Sequence, residues 1–265
     1  MKMPRWTLLA AALTTVSIGT AACGQSDNGS TADTGEQSSV NLEAVSPALA
    51  DYRDQIVEAE LWQRPGLSAR DRSVVTVASL IARNQTVDLR EQISTALDNG
   101  VTAGELSEII THLAFYAGWP NAQAAVAAAE PVFAERDIES DALPSAAPEL
   151  LPLDQEAEAA RRATVQENYG GVSPGVEQYT TDVLFTDLWL RPDLEPRDRS
   201  LVTVSALVAN GQVNQIPFHL GRAMDNGLTQ EQAGEVLTQL AFYAGWPNVF
   251  SALPVFRDVF DSRGN

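Results

Sequence analysis

The chain holds two histidines, His112 and His219, and one cysteine, Cys23. Glu108 lies four residues before His112, a spacing that stacks both side chains on one face of a helix. A carboxylate beside an imidazole raises its pKa and fixes its tautomer, which suits a general acid. The same spacing also describes a solvated pair worth roughly 0.2–0.5 kcal/mol. His219 falls with Ile216, Leu220 and Ala223 on an inward stripe, as a satisfied core histidine or as a pocket residue. Arg70, Arg72, Arg197 and Arg199 cluster where helices should start, and the helix dipole disfavours cations there. They read either as guanidinium forks for a carboxylate or as partners of Asp71, Asp198 or a neighbouring copy. Arg64 and Arg191, in Arg-Pro turns, carry the same two readings. Tyr116, Trp119, Tyr243 and Trp246 read as core or interface aromatics, or as pocket wall.

These residues belong to a unit written twice. Leu61-Trp62 recurs as Leu188-Trp189, and Arg70 to Ser73 as Arg197 to Ser200. Asp98-Asn99-Gly100 recurs as Asp225-Asn226-Gly227, and Leu113 to Asn121 recurs letter for letter as Leu240 to Asn248. Over the 76 positions from Ser46 to Asn121, 34 are identical at one constant offset, so both halves should share one fold. At the same offset Gln92 corresponds to His219, and His112 to Gln239. Each copy has kept the histidine that the other lacks. A pocket shared between copies would be served by both; a pocket within one copy would have one.

Each copy reads as helices. Ser46 and Pro47 open a helix towards Trp62, broken at Arg64-Pro65-Gly66. A second runs from Ser68 or Arg70 to Asn84, a third from Val87 to Asn99, and Gly100 stops it. Thr102 caps a fourth that ends at Gly118-Trp119-Pro120, with Leu106, Ile109, Ile110, Leu113 and Ala117 on one stripe. Phe115 continues the Glu108–His112 face, so both faces of this helix should be buried. An Ala-rich fifth helix follows. Val74 to Val77 is the best strand candidate, but its flanks keep it helical. Asp154 to Asn168 adds a charged helix before the second copy.

The domains expected are residues 1–22 as an export signal, 23–43 as a flexible tether, 44–136 as the first repeat, 137–152 as a linker, and 153–262 as the second repeat. Lys2 and Arg5 precede an apolar run too short for a comfortable membrane span. Thr20-Ala21-Ala22-Cys23 resembles a lipoprotein cleavage site, with Thr20 where Leu is usual, so Cys23 is expected to carry lipid; ordinary signal cleavage nearby is the alternative. The expectation is an exported chain, lipid-anchored on the periplasmic or extracellular side of a bacterial envelope and otherwise free of the membrane. Acidic residues outnumber basic ones 35 to 17, for a net charge of −18, which argues against nucleic-acid binding. One cysteine and two histidines exclude an internal disulfide and leave little for a metal site.

The RDRS-VVTV helix, the third helix closing in DNG and the fourth ending in HLAFYAGWP resemble the carboxymuconolactone decarboxylase family, within the superfamily that includes the alkyl hydroperoxidase D-type peroxidases. Arg161 to Gly171 resembles the family's lead-in. The resemblance implies an all-α fold of paired helices, here two tandem repeats forming an intramolecular pseudo-dimer, and a homo-oligomer in which three chains mimic a hexamer. It implies a lyase without metal or organic cofactor, acting on a small carboxylated lactone or related acid. The peroxidase branch needs a Cys-x-x-Cys pair that this chain lacks. The resemblance implies catalytic roles for His112, Glu108 and His219. Substrate contacts are expected, from residue type and position, of Arg70, Arg72, Arg197, Gln92, Gln239, Glu235, Tyr116 and Trp119. The alternative function is a non-catalytic envelope module that binds a small acid or a protein.

Overall fold

A computed structural model describes residues 40–264. The expected export signal, Cys23 and most of the tether lie outside the described residues. From Leu42 onward the chain forms one unit of α-helices, with no strand among the described residues. In chain order these are α1 (Leu42–Val45), α2 (Pro47–Tyr52), α3 (Ala69–Ala82), α4 (Thr86–Asp98), α5 (Ala103–Tyr116) and α6 (Trp119–Glu135). The second copy follows as α7 (Gln155–Tyr169), α8 (Pro174–Tyr179), α9 (Pro196–Ala209), α10 (Ile216–Asp225), α11 (Gln230–Tyr243) and α12 (Trp246–Arg263).

The centre is the pair α3 and α9, which pack on each other. Asp71 to Ala82 and Asp198 to Ala209 are buried without a break, as expected of helices surrounded on all sides. That enclosure explains why the β-branched run Val74 to Val77 stays helical, since packing overrides local propensity. α5 of the first copy lies on α9 of the second, and α11 of the second lies on α3 of the first. Each copy's fourth helix therefore completes the other copy.

The ends of the elements follow the sequence. Thr102 and Glu105 form a reciprocal capping box on α5, as Thr229 and Gln232 do on α11. Gly100 and Gly227 turn at φ +90° and +104°, conformations that L side chains rarely adopt. The expected first helix differs. After α2 the chain widens into a π turn at Arg53–Glu58 and tightens to a 3₁₀ turn at Leu61–Gln63. The second copy repeats this at Thr180–Phe185 and Leu188–Leu190, which delivers Trp62 and Trp189 to matching places. The connection from 137 to 152 is held rather than loose. Leu151 N donates to Leu190 O at 2.7 Å, and Arg191 donates to the carbonyls of Ser145 and Ala146.

The starts of α3 and α9 exchange ion pairs. Arg70 Nη2 donates to Asp198 Oδ2 at 2.7 Å, and Arg197 Nη1 donates to Asp71 Oδ1 at 2.9 Å. Arg70 also pairs with Glu105. Burial pushes the Asp71 carboxyl up, but Arg197 and Arg70 outweigh it and leave the group below its usual range. Arg70 and Arg197 are thus bound to the opposite copy's carboxylates, the pairing that was one of the two readings of these arginines.

Candidate active site

α5 presents Glu108, His112 and Tyr116, one turn apart, towards the second copy. Glu108 does not meet His112. Its carboxylate accepts from Arg191 Nε at 2.8 Å and from Arg199 Nη2 at 2.9 Å. Glu108 and Arg199 are 1% and 0% exposed, so this is a buried charge cluster spanning both copies. The expected Glu108–His112 couple is therefore replaced. Two guanidiniums hold a buried carboxylate more strongly than one neutral imidazole does.

His112 turns to α9 instead. Its Nε2 lies 2.7 Å from Thr203 Oγ1, whose own proton goes to Arg199 O at 2.8 Å. Thr203 Oγ1 therefore accepts, which places the imidazole proton on Nε2 and leaves Nδ1 a bare acceptor. Nδ1 is buried with no hydrogen-bond partner. Burial, then the charges of Arg199, His219 and Arg222, hold His112 well below its ordinary pKa, so the ring is neutral. The sequence reading had Glu108 raising it; the environment does the reverse.

His219, on α10, converges on the same place. Tyr116 stacks on His112 with ring centroids 4.7 Å apart and meets His219 edge-on at 5.4 Å. Trp189 lies edge-on to His112 at 5.1 Å and stacks on His219 at 5.8 Å. Trp189 Nε1 donates to the Tyr116 hydroxyl at 2.9 Å, which keeps both rings in register. Burial pushes the Tyr116 phenol up to about 12, so it stays a proton donor. Burial and the nearby Arg222 bring His219 down to about 4. His219 Nδ1 is likewise buried and unpartnered.

The equivalent place in the other half keeps the frame and has glutamines for the histidines. Arg64 and Arg72 hold Glu235 as Arg191 and Arg199 hold Glu108. Trp62 Nε1 donates to the Tyr243 hydroxyl at 3.0 Å. Gln239 stands for His112: it accepts from Arg72 Nη1 at 3.1 Å and donates to Thr76 Oγ1 at 3.0 Å. His112 cannot bridge in that way, and the matching Nη1 of Arg199 is left buried without a partner. Gln92 stands at the position equivalent to His219, and its buried Oε1 is unpartnered. Thr95 stands at the position equivalent to Arg222. Both histidines and the extra arginine fall in one cluster, and both glutamines take the equivalent places in the other half.

Several predicted residues stand apart from the histidines. Arg72, Gln239 and Glu235 belong to the glutamine cluster. Trp119 is 60% exposed and packs on Phe115, itself exposed on the outer side of α5, where the sequence suggested a buried face. Sequence reasoning missed Trp189, Thr203 and Arg222 as site residues. Arg222 carried a signal, three residues beyond His219 on the same helical face. Among the described residues, no group of three or more His, Cys, Asp or Glu is placed to hold a metal ion. Nor is any described helix long and apolar enough to cross a membrane.

The carboxymuconolactone decarboxylase family matches residues 47–131 and 174–258, one match per copy. The chain belongs to that family. It is 38% identical over 98 residues to a 4-carboxymuconolactone decarboxylase of Acinetobacter baylyi, covering 37% of this chain and 73% of that protein. It is 38% identical over 61 residues to a nitrosuccinic acid decarboxylase of Metarhizium robertsii, covering 23% of this chain and 43% of the relative. An uncharacterized 15.0 kDa protein of Paracoccus denitrificans is 31% identical over 113 residues, covering 36% of this chain and 84% of that protein.

Proposed function

We propose that the chain is a cofactor-free carboxy-lyase acting on a small carboxylated lactone or related acid, at the cluster of His112, His219, Tyr116 and Arg199. The observation that carries this is the meeting of the two histidines, one from each copy, around Tyr116 and Trp189. Two relatives named as decarboxylases of small acids support it. In such a reaction the C–C bond to the carboxylate breaks and CO₂ leaves. The electron pair passes through a double bond towards the lactone carbonyl, and a proton returns to carbon. Arg199 Nη1 and the Tyr116 hydroxyl are donors suited to the developing oxyanion. We assign the returned proton to His219, because the proton of His112 is committed to Thr203. Both rings are neutral in the free protein, so a bound anion, which favours the charged imidazole, must bring the proton in with it. Following the ultraviolet absorbance of 4-carboxymuconolactone with the full chain tests this. Turnover that survives unchanged in His219→Gln removes the proposal.

Binding of a small acid without turnover is the second reading, favoured by the complete enclosure of His112. From the sequence we also propose export and lipidation at Cys23. Cys23→Ser should then move the protein from the membrane fraction to the soluble one. A trimer of chains is proposed as well. Its support is the exposed aromatic pair on each copy, Phe115 with Trp119 and Phe242 with Trp246. Sedimentation of the purified chain gives the subunit count.

A further inference from the structure

Arg222 is a charge without a close ion-pair partner: Glu158 attracts it only from a distance, its carboxylate being forked by Arg161. It projects from the last turn of α10, and its guanidinium carbon sits 4.2 Å above the Trp189 ring and 5.9 Å from that of Phe185. No hydrogen bond or ion pair ties it to any described residue. The basic residues around it are differently placed. Arg191 and Arg199 share Glu108, and Arg161 forks onto Glu158 with 2.7 Å bonds. The helix C-terminus and the indole face hold the Arg222 cation in position, but neither neutralises it. The guanidinium is half-buried, with none of its nitrogens sealed off, so it offers free donors that a ligand can reach.

Its neighbours are also unfilled. The Nδ1 atoms of His112 and His219, and Nε and Nη1 of Arg199, are buried and make no hydrogen bond. The unmatched groups of the cluster therefore include the Arg222 guanidinium, two nitrogens of Arg199, whose charge Glu108 already meets, and two imidazoles able to take a proton. The equivalent place in the other half has Thr95 for Arg222, and Gln239 there uses both ends of its amide.

We propose that Arg222 is an anion-binding residue which makes the histidine cluster the single carboxylate site of a chain built from two copies, the glutamine cluster being a structural replica. The site takes a small acid whose carboxylate lies against the Arg222 fork over Trp189. Selectivity for acids with two carboxylates follows from a second guanidinium, Arg199, whose charge also reaches His112 and whose Nη1 is without a partner. This rests on the proposed lyase site but not on turnover there.

The test is equilibrium dialysis of the full chain with radiolabelled succinate in Tris buffer. Succinate carries two carboxylates and no group that would drive loss of CO₂, so binding is read apart from chemistry. One succinate per chain is expected, with affinity falling about tenfold or more in Arg222→Gln, the scale of one lost charge-assisted contact. Arg222→Lys should recover most of it, and Thr95→Val should leave it unchanged. Folding of each variant is checked by far-ultraviolet circular dichroism. Two succinates per chain, or undiminished binding in folded Arg222→Gln, overturns the proposal. One-site, Arg222-dependent binding in a chain that never turns over 4-carboxymuconolactone would sustain it while removing the lyase reading.

Discussion

His112 Nε2 lies 2.7 Å from Thr203 Oγ1, and this bond joins the fourth helix of one copy to the second helix of the other. Gln239 makes the matching bond to Thr76 and in addition accepts from Arg72. The histidine therefore stands where a glutamine satisfies the structure better.

His112→Gln should accordingly reproduce the Gln239 arrangement, with Arg199 Nη1 gaining an acceptor. Urea denaturation should show stability unchanged or raised by about 1 kcal/mol, the net scale of one hydrogen bond, while activity is lost. A loss of 2 kcal/mol or more on the same scale would mean the ring is there for packing.

Glu108→Gln leaves two guanidiniums without their carboxylate, and Arg199 has no access to water. The expected cost is about 3 kcal/mol by urea denaturation. Glu235→Gln should cost clearly less. Its partner Arg64 is half exposed, whereas Arg191 is mostly covered. Equal costs for the two variants would contradict the burial argument.

Acid should weaken the fold through His219. Its pKa falls from 6.5 to about 4 on folding, chiefly by burial. Between those values the unfolded chain binds more protons than the folded one, so stability rises with pH and is lost as pH drops from 6.5 towards 4. The full window amounts to about 3 kcal/mol, and His112, shifted the same way, adds to it. His219→Gln should flatten the slope of denaturation free energy across that range. An unchanged slope would place the acid sensitivity elsewhere.

Each ion pair across the centre should be coupled. Arg197→Ala and Asp71→Ala, singly and together, should give a coupling energy of about 1–2 kcal/mol in a double-mutant cycle. Strictly additive effects would show the pairs to be ornaments of the interface.

The constant offset between the copies made the architecture legible, because 34 matched positions without a gap leave little room for two different folds. The caps at Thr102 and Gly100 were legible too, since they depend on adjacent residues alone. The site was legible only in part. The exchange of histidines was visible, but whether His112 and His219 meet depends on α5 crossing onto α9, which no local pattern encodes. Glu108 was misread for the same reason: its helical neighbour four residues on lost to Arg191 and Arg199, more than eighty residues away in sequence. Arg222 was overlooked because an arginine at a helix end needs no explanation until its missing partner is seen.

The most direct measurement is the rate of CO₂ loss from 4-carboxymuconolactone by the full chain beside His112→Gln, His219→Gln and Thr95→Val. The account predicts turnover in the unmodified chain and no change in Thr95→Val, with a fall of about 100-fold or more in His219→Gln, the scale of lost acid–base catalysis, and in His112→Gln, where the amide occupies the Arg199 donor. Turnover that persists with both histidines replaced, in folded protein, would contradict it.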